Sequence, residues 1–456
     1  SQVGVAGPGH EPRLASLFQG PSMRPILSGQ LLLLLLGSCS QIGEPAPNVL
    51  LVVVDTLRQD HLGTYGYQGN PTSPFLDSLA SQSVAVEGLT ASSSWTLPSM
   101  ATLFTGLEPA DHGVMRLAGE GFALPEVETL ASKFRDAGYA TGCVMGNFLM
   151  TRRRGGGFDR GFSWWDDSVV NLADPHRGSS ASAVVASAEN WLEAQGLERP
   201  WFLVLHFFDP HASYENHGDL DFGDPSYKGW VKGGLPVGEV RKQVAASTAE
   251  DLLQLSALYD EEIRAVDQAL GGFMGQVRDR KDWGRTLVVI TADHGEELGE
   301  RGWVGHTRTL HAEQVDLPLL MRLPGGKRGG TRVRARLPES GLHFTLLDLC
   351  GIPFPAGPDS SFASVLKGDQ VPSSPVFFEV DFQPVLKAGA DKKVRKRGVI
   401  EKNFKLVQDL ATGDTFLFDL GEDPRENANL AGSPERVGIQ ARLEALMAGN
   451  RWWAGK

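Results

Sequence analysis

Two kinds of hydrophobic pattern alternate along the chain from about residue 48 onward. Apolar residues at helical spacing predict helices over residues 125–139, 181–195 and 249–277. Between them stand continuous apolar runs of the kind that form strands buried on both faces, at residues 49–54, 201–208 and 287–292. This alternation indicates an α/β fold in which helices flank a mostly parallel central sheet.

The pattern changes near residue 371, where a Pro- and Ser-rich stretch begins. Beyond it, four short apolar runs predict antiparallel strands, and a helical pattern closes the chain. The strands are expected at residues 376–380, 398–401, 404–408 and 415–419, and the helix at residues 434–447. We therefore expect a large α/β domain over residues 47–370 and a small C-terminal subdomain, an antiparallel sheet plus a helix, over residues 371–456.

The first 39 residues carry a targeting signal. Arg24 precedes six consecutive leucines, and Gly37, Ser38 and Cys39 follow them. This apolar run is too short to span a bilayer, so the segment is typical of a secretory signal peptide. Its end resembles the lipobox of bacterial lipoproteins, which predicts an exported, periplasmic protein that contacts the membrane only through a lipid anchor on Cys39. The alternative is an ordinary signal cut nearby, with Cys39 incidental.

Composition narrows the classes of partner. The chain has 43 Lys and Arg against 55 Asp and Glu, a formal charge of −12. Such an acidic chain argues against nucleic acid as a partner. Three cysteines cannot build a disulfide framework, so stability has to come from burial.

Each of the three strand-like runs leads to an aspartate: Asp55, Asp209 and Asp293. In open α/β sheets, ligands bind outside the carboxyl ends of the strands, so these carboxylates are expected to converge on one site. Helix caps or turns are the alternative role for such residues. The segment 214–242, rich in Gly, Pro and charge, predicts a long loop over the strand end near Asp209 and is a candidate for substrate selection.

Thr96 and His294 are candidates for chemistry beside these carboxylates. Thr96 precedes Pro98 at the start of a predicted helix, so it is either an N-cap or a hydroxyl that a nearby metal would hold as an alkoxide. His294 directly follows Asp293. Carboxylates, an imidazole and a threonine oxygen together make a shell suited to Zn²⁺ or Mn²⁺. His211 and His306 add two imidazoles for a second metal or for the substrate oxyanion.

Together these segments resemble the sulfatase family of the alkaline phosphatase superfamily. The matching motifs occur in family order over most of residues 47–430, and they include Asp55-Thr56-Leu57-Arg58, Thr105-Gly106, Asp209-Pro210-His211, Asp293-His294-Gly295, Gly305-His306 and Phe418-Asp419-Leu420. The resemblance implies an alkaline-phosphatase-like fold, a catalytic domain over residues 47–370, a divalent metal ion (Zn, Mn or Ca) and hydrolysis of an ester.

Three departures from the family pattern change the expected chemistry. Sulfatases convert the Cys or Ser of a Cys/Ser-x-Pro-x-Arg motif into formylglycine, but here Thr96 and Met100 stand at the nucleophile and arginine positions. Gly146-Asn147-Phe148 stands where sulfatases usually have a Gly-Lys-Trp-His segment, so Asn147 brings no charge there. Thr56 stands where sulfatases commonly have a second metal-binding aspartate. The chain therefore resembles the superfamily's unmodified-threonine branch, which includes phosphodiesterases and lipid phosphotransferases.

From this resemblance we expect a metal-dependent hydrolase of phosphate or sulfate esters with Thr96 as the nucleophile. The metal ligands would be Asp55, Thr96, Asp293 and His294, with a possible second site at Asp209, His211 and His306. His211 and His306 would stabilise charge on the ester or protonate the leaving oxygen. A small-molecule, lipid or glycan ester is the expected substrate, with phosphodiesters favoured because two cations of the family pocket are missing. A true sulfuric ester hydrolase, a phosphotransferase and an inactive binding lipoprotein remain open.

Overall fold

The buried apolar runs form the middle of an eight-stranded sheet. The first ten strands of the chain are β1 (Asn48–Val54), β2 (Val84–Thr90), β3 (Ala140–Met145), β4 (Trp164–Asp166), β5 (Trp201–Phe207), β6 (Thr286–Ala292), β7 (Glu297–Leu298), β8 (Val304–Gly305), β9 (Asp316–Arg322) and β10 (Thr331–Pro338). The spatial order of the large sheet is β10-β2-β9-β6-β1-β5-β3-β4, and β7 pairs with β8 in a separate two-stranded sheet. Only β9 runs against its neighbours, which confirms the mostly parallel α/β prediction.

Helices cover the sheet on both faces, as the complete burial of β1, β5 and β6 requires. The structure, a computed structural model, describes residues 45–174, 177–355, 360–369, 374–383, 394–451 and 453. The helices in these ranges are α1 (Pro74–Ala80), α2 (Thr96–Thr105), α3 (Pro109–His112), α4 (Leu130–Asp136), α5 (Ala181–Glu193), α6 (Val237–Gln243), α7 (Ala249–Asp279), α8 (Ala312–Val315), α9 (Ser340–Leu349), α10 (Ala363–Lys367) and α11 (Val437–Ala448).

Two predicted segments differ from the structure for local reasons. The helix expected from residue 125 begins only at Leu130, because Thr129 and Ser132 form a capping box that fixes its start. The segment predicted as a loop over residues 214–242 ends in helix α6, which begins after Pro236 and packs against β8. The other predicted helices and strands agree with the structure to within a few residues.

The C-terminal part forms the predicted antiparallel sheet and helix. Strands β11 (Val376–Phe382), β12 (Val394–Glu401), β13 (Phe404–Asp409) and β14 (Thr415–Asp419) lie in that order. Helix α11 packs on β12 and β13 around a small core that contains Leu406, Leu417 and Leu443. Residues 46–456 form one compact unit, so the proposed boundary at residue 371 stays a prediction.

The predicted signal peptide and Cys39 lie outside the described residues. Within the described part of the chain, a search for helices long and apolar enough to cross a membrane finds none.

Candidate functional site

Strand pairing brings two of the predicted aspartates together. β1 lies between β5 and β6 and is parallel to both, with Val54 paired to Ala292. Asp55 and Asp293 are the next residues of these two strands, so they leave the sheet side by side at its carboxyl edge. Both side chains are completely buried.

Each of these carboxylates has one oxygen held and one oxygen free. Asp293 Oδ1 accepts the backbone N–H groups of His294 (2.8 Å) and Thr56 (3.3 Å). Asp55 Oδ2 accepts from the side-chain amide of Asn147 at 2.7 Å. The other oxygens, Asp55 Oδ1 and Asp293 Oδ2, are buried without a hydrogen-bond partner. Buried acceptors without a partner are rare, and among the described residues Asp55 and Asp293 each have one, with a carboxylate oxygen of each residue within 4.8 Å of one on the other.

His294 and Thr96 complete this cluster. His294 Nε2 lies 3.6 Å from Asp55 Oδ1, 3.5 Å from Asp293 Oδ2 and 3.2 Å from Thr96 Oγ1. His294 Nδ1 donates to the carbonyl oxygen of Gly295 at 2.9 Å, which leaves the Nε2 lone pair free. The four residues predicted as metal ligands therefore meet at one point.

Thr96 is not the N-cap of its helix. Trp95 occupies the cap position, Thr96 is the first helical residue, and no side chain caps the helix. The backbone N–H groups of a first helical turn favour negative charge beside them. The Thr96 hydroxyl is therefore available to bond with His294 Nε2 and with a ligand bound between the two carboxylates.

A second cluster stands next to the first and contains His211, His306 and Glu296. The His306 ring centroid is 4.5 Å from that of His294 and 5.0 Å from that of His211. His306 Nδ1 donates to Glu296 Oε1 at 3.1 Å, and His211 Nδ1 donates to the Ala212 carbonyl at 2.7 Å. With both Nδ1 atoms bound in this way, neither Nε2 atom has a hydrogen-bond partner among the described residues.

The carboxylate of this second cluster is Glu296, and the predicted Asp209 is not part of it. Asp209 Oδ2 instead accepts the backbone N–H of Ala181, the first residue of helix α5, at 3.0 Å. Strand β5 ends at Phe207, so Asp209 stands two residues beyond the strand. Ser180 is the N-cap of α5, and Asp209 binds the next N–H from outside the helix. Burial, together with the charge of Glu262, raises the pKa of Asp209 to about 8.

Burial also sets the charge of the two histidines. It lowers the pKa of His211 to about 3, and the neighbouring His306 contributes to that shift. Burial, His294 and Arg241 hold the pKa of His306 well below its ordinary value. Both imidazoles are therefore neutral near pH 7, and a neutral ring with its proton on Nδ1 accepts a proton at Nε2.

The three departures from the family motif have distinct structural roles. Met100 is fully buried and belongs to the main hydrophobic core. Asn147 fixes Asp55 through its amide. Thr56 adopts a positive φ of 56°, an unfavourable conformation for a β-branched residue, and its backbone N–H binds Asp293.

Sequence reasoning did not single out Glu296, Arg241 or Arg308. Glu296 could have been noticed because it lies two residues after His294, but only the fold shows that it orients His306. Arg241 lies 65 residues before His306, on helix α6, and no sequence pattern relates the two. The site accordingly has more positive charge beside it than the sequence indicated.

The donor set fits a divalent cation. Two unpartnered carboxylate oxygens, an imidazole Nε2 and a hydroxyl converge, and the ligand atoms of Asp55, Asp293 and His294 lie within 4.8 Å of one another. Oxygen and imidazole ligands of this kind suit Zn²⁺, Mn²⁺ and, with further oxygens, Ca²⁺. A cation would also compensate the two adjacent buried carboxylates.

Comparisons with known proteins agree with this geometry. The family model described as Sulfatase matches residues 47–352, about two thirds of the chain. A model described as N-sulphoglucosamine sulphohydrolase, C-terminal, matches residues 299–451. The Delta 4,5-hexuronate-2-O-sulfatase of Bacteroides thetaiotaomicron is 25% identical over 450 residues, which cover 91% of this chain and 90% of the relative.

Solved structures share the fold. A 2-O GAG sulfatase superposes with a TM-score of 0.73 at 24% identity, covering 88% of this chain and 91% of the other. The phosphonate monoester hydrolase of Agrobacterium radiobacter superposes with a TM-score of 0.69 at 22% identity, covering 88% and 95%. The same architecture thus serves enzymes of two ester classes.

Proposed function

The chain belongs to the sulfatase family, as its motifs indicated, and from this premise we propose that it is a metal-dependent hydrolase with Thr96 as the nucleophile and a phosphodiester as the favoured substrate. The observation that carries the proposal is the position of the Thr96 hydroxyl. It lies 3.2 Å from His294 Nε2, and the same nitrogen lies 3.6 Å from Asp55 Oδ1 and 3.5 Å from Asp293 Oδ2.

The chain's own residues position the reacting groups. Asp55, Asp293 and His294 would hold a divalent cation together with Thr96. When bound, such a cation lowers the pKa of the hydroxyl and polarises the ester. Asn147 and the backbone N–H groups of Thr56 and His294 keep the ligand oxygens aimed inward.

In the first half of the reaction, Thr96 Oγ1 would attack the phosphorus of the diester, the P–O bond to one alcohol would break, and that alcohol would depart with the hydroxyl proton, leaving a phosphothreonine that still carries the other alcohol. In the second half, His306 is placed to take a proton. Its Nε2 is free, and Glu296 on Nδ1 would stabilise the imidazolium that forms. Water, or an acceptor alcohol in a phosphotransferase, would attack the phosphothreonine while Nε2 accepts its proton. The P–O bond to Thr96 then breaks and regenerates the nucleophile. His211 would help to stabilise the imidazolium of His306, because its own Nδ1 is bonded to the Ala212 carbonyl and its Nε2 lone pair is available.

Charge and nucleophile chemistry together favour the phosphodiester. The imidazoles are neutral, and Met100 and Asn147 supply no charge, so the immediate surroundings of Thr96 suit a singly charged ester better than a phosphate monoester. A sulfate transferred to Thr96 would lack the elimination route that formylglycine provides. We therefore expect phosphodiester turnover above phosphate monoester turnover, with sulfate esters slowest.

Sulfuric ester hydrolysis is the second candidate. Relatives named as sulfatases support it, including the Delta 4,5-hexuronate-2-O-sulfatase that aligns over nine tenths of both chains. The phosphonate monoester hydrolase with the same fold supports the first candidate. A glycan, lipid or small-molecule ester remains the proposed substrate class.

A comparison of esters under matched conditions tests both candidates. The kcat/KM values for bis(4-nitrophenyl) phosphate, 4-nitrophenyl phosphate and 4-nitrophenyl sulfate would be measured with Mn²⁺, Zn²⁺ or Ca²⁺. Thr96→Ala should abolish turnover. Thr105→Ala is the matched control, because its hydroxyl lies at the other end of α2 and bonds only within that end. Sulfate ranking first would restore the sulfatase reading, and no turnover with metal bound would favour a binding protein.

We also propose that the protein is exported and anchored to a membrane through a lipid on Cys39, at the periplasmic face of a bacterial membrane. The motivation is the run of leucines followed by Gly37, Ser38 and Cys39. Cys39→Ser should release soluble protein on cell fractionation. Wild-type protein found wholly in the soluble fraction would contradict the anchor.

A further inference from the structure

Two arginines beside the candidate site have no ion-pair partner among the residues that the structure describes. Arg241 on helix α6 and Arg308 after strand β8 both pack against the ring of Trp303, with guanidinium carbons 4.6 Å and 4.1 Å from the ring centroid. All three side chains are half-buried. Among the described residues, no carboxylate lies within ion-pair distance of either arginine.

The arrangement holds Arg241 in one place while leaving its outer nitrogens free. Its Nε donates to the carbonyl oxygen of Val304 at 2.8 Å. The guanidinium lies directly over Gly305, where φ is 108° and an added Cβ would collide with it. His306 is the next residue, so the positive charge is held beside the His306 imidazole. Arg241 is indeed one of the groups that lower the pKa of His306.

The nearby acid, Glu296, offsets part of the Arg241 charge but forms no ion pair with Arg241 among the described residues. Glu296 influences Arg241 electrostatically, but both of its oxygens are already engaged. Oε1 accepts from His306 Nδ1, and Oε2 accepts from the Ala212 backbone N–H and the Tyr214 hydroxyl. The two guanidinium groups therefore repel each other next to the site, in a chain with a formal charge of −12.

We propose that Arg241 and Arg308, braced by Trp303, form a subsite for a second anionic group of the ester substrate, besides the reacting ester itself, such as the carboxylate of a uronate or a sulfate on a glycan. This inference rests on the proposed function, because it assigns the substrate of the same site. An anion bound there would relieve the repulsion between the guanidinium groups and form charge-assisted hydrogen bonds. Since Gly305 and His306 are adjacent, both anionic groups would be carried by one small unit such as a disaccharide.

Helix α6 explains how the preceding segment contributes to selection. Its first N–H, that of Val237, donates to Ser213 Oγ at 3.2 Å, two residues after His211. The segment between these residues thereby returns to the site and delivers Arg241 from a distant part of the chain. A change of length or sequence in this segment would alter the second anion site without touching Thr96.

Binding to an inactive, metal-loaded enzyme tests the inference. Calorimetric titration of Thr96→Ala would use sulfate esters as stable stand-ins for a singly charged ester: a 2-O-sulfated, unsaturated uronate disaccharide, its carboxyl-reduced form, and a carboxyl-reduced disaccharide with sulfates on both sugars. The ligands with a second anion should bind at least 10-fold more tightly than the singly charged one. Whether the carboxylate or the second sulfate produces that gain identifies the group that is recognised.

Arg241→Gln and Arg308→Gln, each introduced in the Thr96→Ala background, should reduce this affinity ratio toward one. Lys327→Gln in the same background is the matched control, because it removes one positive charge from an exposed position beyond the opposite end of the sheet. An unchanged ratio in the arginine variants, equal losses for all ligands, or no binding of any disaccharide would overturn the inference. If wild-type enzyme turns over no ester but the ratio still depends on the arginines, the proposed function fails and the subsite stands.

Discussion

Two buried clusters of ionisable side chains differ in whether their charges are compensated. In the first, the carboxylates of Asp55 and Asp293 lie beside His294, all at zero exposure, and two carboxylate oxygens have no partner. Burial and the charge of Asp293 raise the pKa of Asp55 well above its ordinary value. This cluster is a poor structural element by itself, because it concentrates negative charge in a dry environment.

The other cluster of this comparison, the Lys405 cluster (Lys405, Glu426 and His311), joins the C-terminal sheet to the segment that follows the site. Lys405 Nζ lies 2.7 Å from Glu426 Oε1, and both side chains are 1% exposed. His311 Nδ1 lies 2.8 Å from Glu426 Oε2. Every oxygen of this carboxylate is paired, and although burial raises the pKa of Glu426, Lys405 and His311 outweigh it and keep that pKa below its ordinary value.

The difference distinguishes a binding site from a structural ion-pair cluster. A buried charge with matched partners holds two elements together, whereas buried carboxylates without partners persist only where binding compensates them. By this criterion the Asp55 cluster is the place where a cation belongs. The Lys405 cluster needs nothing further.

The largest expected effect is on turnover. Asp293→Asn removes one ligand oxygen's charge from the first cluster, and kcat/KM for the best ester should fall by about 10³-fold or more, the scale seen when one member of a cooperating catalytic set is lost. Steady-state kinetics with saturating metal measures it. A loss below about tenfold would mean that this cluster does not serve the chemistry.

The next effect is on stability and concerns the Lys405 cluster. Glu426→Gln leaves Lys405 buried without its partner, so the free energy of unfolding should fall by about 3–5 kcal/mol. The double variant Lys405→Leu with Glu426→Leu should lose less, because no unpaired charge remains. Urea unfolding of the metal-free proteins measures both, and equal losses in the single and double variants would contradict the pairing argument.

Metal addition should act on the Asp55 cluster and leave the Lys405 cluster unaffected. A divalent ion at 100 times its dissociation constant should raise the free energy of unfolding by about 2.7 kcal/mol, and a chelator should reverse the gain. Asp55→Asn should abolish this response while making the metal-free protein more stable, because one of two adjacent buried charges is gone. Thermal melts with and without metal decide the point, and a metal-free variant less stable than wild type would argue that Asp55 is structural.

A smaller effect is expected at Asn147, which touches a ligand rather than the ion. Asn147→Ala frees Asp55 Oδ2 from its amide partner and should weaken metal affinity by roughly 10–100-fold. The retained Asp55 charge should keep the site able to bind at higher metal concentration. Metal titration followed by calorimetry measures the shift, and unchanged affinity would show that the amide does not orient Asp55.

The smallest effect is the acid limb of stability. The folded-state pKa of Glu426 is lowered, so its contribution is fully present above the unfolded value, about 4.3, and is lost as the pH falls through the folded value. Wild type should therefore lose more stability than Glu426→Gln between pH 6 and pH 3. Parallel slopes for the two proteins in urea unfolding would contradict this.

Much of the fold and part of the site were predictable because they depend on local sequence. The apolar runs before Asp55 and Asp293 form strands wherever both faces are covered, and adjacent parallel strands necessarily end together. The helix that follows Thr96 ends at Gly106, whose φ of 70° suits a glycine. These features require no knowledge of distant contacts.

The sequence by itself therefore determined the α/β class, the family, and the candidate set of Asp55, Thr96, Asp293 and His294. The tertiary structure alone decided that Asp209 binds the first N–H of helix α5 and that Glu296 orients His306. It also brought Arg241 and Arg308 to the same tryptophan across 67 residues of chain. The physical reason is that strand ends and helix starts follow from local periodicity, whereas the partner of a polar side chain depends on which distant elements the packed core brings within hydrogen-bond distance.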